Sequence, residues 1–141
     1  MKLLLEWTKH DKDLQIKMIK AQNHRAFHKS AFGYPECMKL LWEYTKHDKA
    51  MQIEMIKAEE YLVLYKSAYG YPECMQLLWE YTKNDKQLQL NMLRAKAYRV
   101  FDIAAEGHSQ CFDLLMTYAE IDKKVLRKAQ SIARKKKRIK Q

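Results

Sequence analysis

From Cys37 the apolar residues Met38, Leu40, Leu41, Trp42 and Tyr44 run as a dense stripe at helical spacing, ending in Thr45, Lys46 and His47. This pattern predicts a buried helix of about three turns. Its start reads Gly33-Tyr34-Pro35-Glu36-Cys37. Proline suits a first helical turn, where its missing N–H is not needed and its φ is already set. Glu36 then faces the positive end of the helix dipole. The same start recurs as Gly70-Tyr71-Pro72-Glu73-Cys74. A second stripe, Met51, Ile53, Met55 and Ile56, follows Asp48, whose side-chain oxygen is placed to cap the free N–H groups of a helix start. Asp11, Asp85 and Asp122 stand in the same register. A third segment, Tyr61 to Tyr69, is closed by Gly70, a residue able to take the left-handed conformation that ends a helix. No segment alternates like a strand between hairpin turns. The prediction is all-α, with about three helical pieces per unit.

These pieces are copied along the chain. The cysteines at 37, 74 and 111 and the glycines at 33, 70 and 107 share a spacing of 37 residues. In that register residues 1 to 37 match residues 38 to 74 at 24 of 37 positions, and residues 38 to 74 match residues 75 to 111 at 18. A period of this size predicts an α-solenoid, in which each unit buries its apolar face against its neighbours and leaves a long open surface with no enclosed pocket. Residues 1–122 are read as the array, with helix pairs near 23–46, 60–83 and 97–120. Met1 aligns with Met38, so the first unit is incomplete in this register, and residues 1–8 are expected to present an apolar face. Residues 123–141 are read as a basic capping helix and tail, because Val125, Leu126, Ala129, Ile132 and Ala133 recur on one helical face.

Locating the charge changes its meaning. The net +10 lies wholly in residues 123 to 141; residues 1 to 122 carry 17 basic and 17 acidic side chains. A solenoid that bound nucleic acid along its whole groove would show basic residues in every unit. The tail is another matter: Arg134, Lys135, Lys136, Lys137, Arg138 and Lys140 form a run compatible with nuclear import, nucleic acid or an anionic surface, and equally with the solvated end of a capping helix. No stretch approaches the roughly 20 apolar residues of a membrane span, and Met1-Lys2-Leu3-Leu4-Leu5 breaks at Glu6, too early for a signal peptide. The odd cysteine set, at equivalent sites, reads as packing residues in a reducing, cytoplasmic compartment.

No catalytic constellation emerges. His24 and His28 stand four apart, a spacing that can present two imidazoles to a metal, but no third ligand recurs and the next copy has Tyr61 and Tyr65 there. A solvated or packed role is expected, with no metal, cofactor or small-molecule substrate. The series Trp7, Tyr44, Tyr81, Tyr118 and Leu5, Trp42, Trp79, Met116 could serve as base-stacking platforms, but their equal spacing favours packing between units.

The stretch Val100-Phe101-Asp102-Ile103-Ala104-Ala105-Glu106-Gly107-His108-Ser109-Gln110-Cys111-Phe112-Asp113-Leu114-Leu115 resembles an ankyrin repeat. Ala104 and Ala105 match the paired alanines, Gly107 and His108 the turn, and Cys111, Phe112, Leu114 and Leu115 the core of the second helix. Earlier units keep Gly33 and Gly70 but carry Tyr34 and Tyr71 in place of the histidine. The period of 37 exceeds the ankyrin period of about 33 because residues 48 to 58 stand where the β-hairpin finger would be. This helical insert is similar to that of ankyrin-like proteins which intracellular bacteria send into host cells. The resemblance implies a non-enzymatic protein-interaction scaffold, part of a bacterial effector, in the cytoplasm or in host cytosol or nucleus. Another α-solenoid of the HEAT or TPR kind is the alternative architecture.

In ankyrin-like arrays the first helix and its finger line a concave face. The copies diverge most between 22–28, 59–65 and 96–102, where packing does not dictate identity. The implied partner contacts are Lys17, Gln22, Arg25, Glu54, Glu59, Glu60, Leu62, Asn91, Lys96, Arg99 and Asp102. The competing functional reading is a nucleic-acid-binding or nuclear-targeted protein acting through the basic tail.

Overall fold

The computed structural model describes residues 12–140, with side chains from 13 to 136. Among these residues the chain is all-α: α1 (Lys12–Ser30), α2 (Pro35–Tyr44), α3 (Lys49–Ser67), α4 (Pro72–Tyr81), α5 (Lys86–Ala105), α6 (Ser109–Tyr118), a 3-10 turn (Ala119–Ile121) and α7 (Lys123–Lys140). No described helix is long and apolar enough to cross a membrane. The predicted caps form. Asp48 accepts a hydrogen bond from the Met51 N–H and Asp85 from that of Leu88, each at 3.0 Å. Asp122 accepts from Lys124 at 2.9 Å and Val125 at 3.2 Å, and these bonds, with Arg94 nearby, hold its carboxyl below the usual range. Asp11 lies outside the described residues.

Each long segment is in fact two helices joined by a left-handed turn, so the unit has three helical pieces. In α1 the helix stops at Ala21 (ψ 135°), and Gln22, Asn23 and His24 take φ of 55°, 56° and 64° before it resumes. Glu59, Glu60 and Tyr61 repeat this in α3, and Lys96, Ala97 and Tyr98 in α5. None of the nine is glycine. Such a conformation costs an L-residue about 1–2 kcal/mol, so the packing on either side must impose it.

The long segments pack on one another in chain order, α1 on α3 and α3 on α5, with α7 continuing the row on α5. The short helices form a second row, α2 on α4 and α4 on α6, and each short helix also packs on the long segment before it. Equivalent residues fill the space between the rows: Phe27, Leu64 and Phe101, and Leu41, Leu78 and Leu115, are all fully buried. Burying a side chain of this size stabilises by roughly 1.5–3 kcal/mol.

The seams between units are specific. Trp42 stacks on Tyr81 and Trp79 on Tyr118, each pair with ring centroids 4.2 Å apart. Gln52 donates to the Trp42 carbonyl at 2.9 Å and Gln89 to that of Trp79 at 3.2 Å, so the long segment that follows α2 and α4 adds a hydrogen bond to the last turn of each. The thiols of Cys74 and Cys111 point at the carbonyls of Ser30 and Ser67, each at 3.4 Å. Burial pushes both thiols up in pKa, away from the nucleophilic thiolate. Cys37 is only half-buried, a departure from the expected common role. The repeated glycines serve two purposes. Gly33 and Gly70 have φ of 96° and 108°, and the ring of the next unit lies against each: a Cβ on Gly33 would sit 2.9 Å from Tyr71, and one on Gly70 would sit 3.2 Å from His108.

Candidate functional site

The predicted partner contacts fall on the row of long segments, at equivalent places in successive units. Lys17, Gln22, Arg25, Glu54, Glu59, Glu60, Lys96, Arg99 and Asp102 are exposed, while Leu62 and Asn91 are half-buried. Several are tied to a neighbouring unit. Glu54 lies 3.3 Å from the His24 Nε2 and 3.8 Å from the Lys20 ammonium. Asn23 donates to Glu59 at 2.9 Å, joining the first two left-handed turns. The Lys96 ammonium stands 5.8 Å over the Tyr65 ring, joining the second unit to the third. Asn91 accepts from Gln87 within its own helix at 3.0 Å. Asp102 is set apart from these, in a recess of about 280 Å³ with Ala97, Lys128, Ile132, Lys135 and Lys136.

Not all of the variable stretch is surface. His24 and His28 are 3% and 4% exposed and Phe27 is fully buried, so divergence at 24, 27 and 28 reflects alternative ways of filling space. The two histidines do not share one uninterrupted helix either, because His24 ends a left-handed turn. Among the described residues no group of three or more His, Cys, Asp and Glu is arranged to hold a metal ion. The buried His24 Nδ1, His28 Nε2 and Tyr65 hydroxyl have no hydrogen-bond partner among the described residues. Desolvation, helped by the charge of Lys66 and by His24 and opposed by Glu59, lowers the His28 pKa to about 4. Desolvation and Glu60 push the Tyr65 hydroxyl up to about 12.

The structure also shows an aromatic edge that the sequence reading passed over. Phe32, Tyr34 and Tyr69 are exposed at the glycine turns. Phe32 lies 5.7 Å from Tyr71 edge-on, and Lys66 sits 4.5 Å above its ring. The available signal was the placing of large aromatics on both sides of Gly33 and Gly70, where a turn cannot bury them all. Conversely, Trp42 stacks on Tyr81 and Trp79 on Tyr118 between units, which covers one face of each ring.

The basic run is not a loose tail. It belongs to α7, which continues to Lys140. Val125 and Ala129 are fully buried beneath it and Ile132 is nearly so. Lys136 is half-buried and pairs with Glu106, whereas Arg134 and Lys135 are exposed; the side chains of Lys137, Arg138 and Lys140 lie outside the described set. An open recess of about 480 Å³ between α5, α6 and α7 is lined by Ala104, Gly107, His108, Phe112, Ala133 and Lys136. Compared with known proteins, the chain matches no family model, no curated protein and no solved structure.

Proposed function

We propose that this chain is an ankyrin-like α-solenoid that acts as a non-enzymatic protein-interaction scaffold, engaging a protein partner through the exposed surface of α1, α3 and α5. One observation carries the reading. The same backbone turn is built three times, yet its exposed positions hold Gln22, Asn23 and Arg25, then Glu59 and Glu60 beside the half-buried Leu62, then Lys96, Ala97 and Arg99. The scaffold beneath it keeps Leu41, Leu78 and Leu115. A surface with constant geometry and varied chemistry suits recognition of an extended protein surface, one unit at a time. The resemblance to bacterial ankyrin-like proteins makes an effector the setting to which this reading leads.

The test is a charge-reversed triple variant, Glu60→Lys, Arg99→Glu and Asp102→Lys, compared with wild type in proximity labelling and reciprocal pull-down. Loss of one reproducible protein partner, with helicity and melting temperature unchanged, is the expected result. Retention of that partner by the folded variant would refute this surface.

A further inference from the structure

We infer that the outer face of α7 is a docking surface for the phosphate backbone of duplex nucleic acid. This goes beyond the scaffold reading and uses different residues. Lys123, Lys124, Arg127, Lys128, Arg134 and Lys135 are all exposed. At about 100° per residue they share a sector of roughly 140° on one helix side. The buried Val125, Ala129 and Ile132, together with the inward Lys136, occupy the opposite side. Among the described residues none of the six forms an ion pair. Two acids border the stripe. Asp122 is committed to the helix start and to Arg94 at 3.5 Å, and Asp102 lies in the recess beside Lys128 and Lys135.

The geometry selects among anionic partners. From Lys123 to Lys135 the stripe is about 18 Å long at about 1.5 Å per residue, a length over which a duplex presents about ten phosphates at one per roughly 1.7 Å. Membrane docking by an amphipathic helix uses its apolar face, and that face of α7 is already buried on α5. Single-strand binders add aromatic platforms for the bases, whereas the stripe contains no aromatic residue and the exposed Phe32, Tyr34 and Tyr69 sit at the Gly33 and Gly70 turns of earlier units rather than on α7. Protein interfaces centre on buried aromatic or arginine anchors in pockets, but this stripe is uniformly exposed. What is left is sequence-independent contact with phosphates held by a rigid row of cations.

The experiment measures binding of the full chain to a fluorescein-labelled mixed-sequence DNA duplex by anisotropy, between about 50 and 200 mM salt. With six phosphate contacts, log affinity should fall with log salt at a slope of about −5. Lys123→Gln, Lys124→Gln, Arg127→Gln and Lys128→Gln together should weaken binding at least about tenfold and reduce the slope to about −2. A second variant, Arg134→Gln with Lys135→Gln, guards against a fold defect in the first and should reduce the slope by about 2. Lys136→Gln, which faces Glu106, should leave the slope unchanged. The inference is overturned if wild type ignores the duplex at low salt, or binds phosphatidylserine vesicles in its place. It is also overturned if the fourfold variant binds like wild type while deletion of residues 134–141 abolishes binding, since a linear basic run would then be responsible. An equal loss from Lys136→Gln would likewise overturn it.

Discussion

The short helices and the left-handed turns belong to the same unit but treat sequence in opposite ways. α2 and α4 read alike except for Lys39 against Gln76, and their central leucines are fully buried. The turns at 22–24, 59–61 and 96–98 share φ values within a few degrees, yet only Tyr61 and Tyr98 agree in identity. A packed row keeps its residues because every atom has a neighbour. A turn whose first two residues face water can keep its shape without keeping those residues, because the helices on either side hold its ends. Geometry is therefore common to all three units, while surface chemistry is particular to each.

The contrast is broken most severely in the short row. Leu78→Ala, at the centre of α4, should cost about 3 kcal/mol through the cavity it leaves, whereas Glu60→Ala in a turn should stay within about 0.5 kcal/mol. Urea denaturation of both variants checks this; comparable losses would mean that the turns are structural keystones.

An intermediate effect should come from His28, a variable position that is nevertheless buried. Its pKa is lowered to about 4 from 6.5, so the fold favours the neutral ring. The stabilisation is fully present above pH 6.5 and is lost as pH falls toward 4. Allowing for partial solvent screening, the loss should be on the order of 2 kcal/mol. Melting curves at about pH 7 and about pH 4.5 should show a smaller acid-induced drop in His28→Leu than in wild type. An equal drop would mean that other groups govern the acid response.

The smallest effect separates the two kinds of positive φ. Gly70→Ala should destabilise by about 1–2 kcal/mol, since its φ of 108° and the His108 ring both oppose a side chain. Ala97→Gly, at a φ of 57° on an exposed turn, should stabilise by up to about 1 kcal/mol by relieving a local penalty. Thermal melts of the pair check both signs. A destabilised Ala97→Gly would show that the alanine contributes packing the turn needs.

Much of the helical framework was legible because its signals are local. Asp48, Asp85 and Asp122 cap where their spacing places them, and Pro35 and Pro72 open short helices. The repeated glycines take the expected left-handed conformation. The candidate surface was legible only in part. Comparison of the copies located the exposed positions 22, 59, 60, 96 and 99, but could not show that His24 and His28 turn inward or that Phe32, Tyr34 and Tyr69 are left outside. Substitution at a repeated position looks the same whether it fills a gap differently or faces water.

By itself the sequence determined the 37-residue period, the helical pieces, their caps and most of the apolar positions that become the interior, Ile53 of the second stripe being exposed instead. Those follow from hydrophobic spacing and from hydrogen bonds made within a few residues. Only the tertiary structure decided the three-residue left-handed turns, the Trp–Tyr stacks, the aromatic edge and the division of α7 into a buried seam and an exposed cationic stripe. Each of these depends on which surface a neighbouring unit covers, and the cost or gain of covering it is not settled within the unit itself.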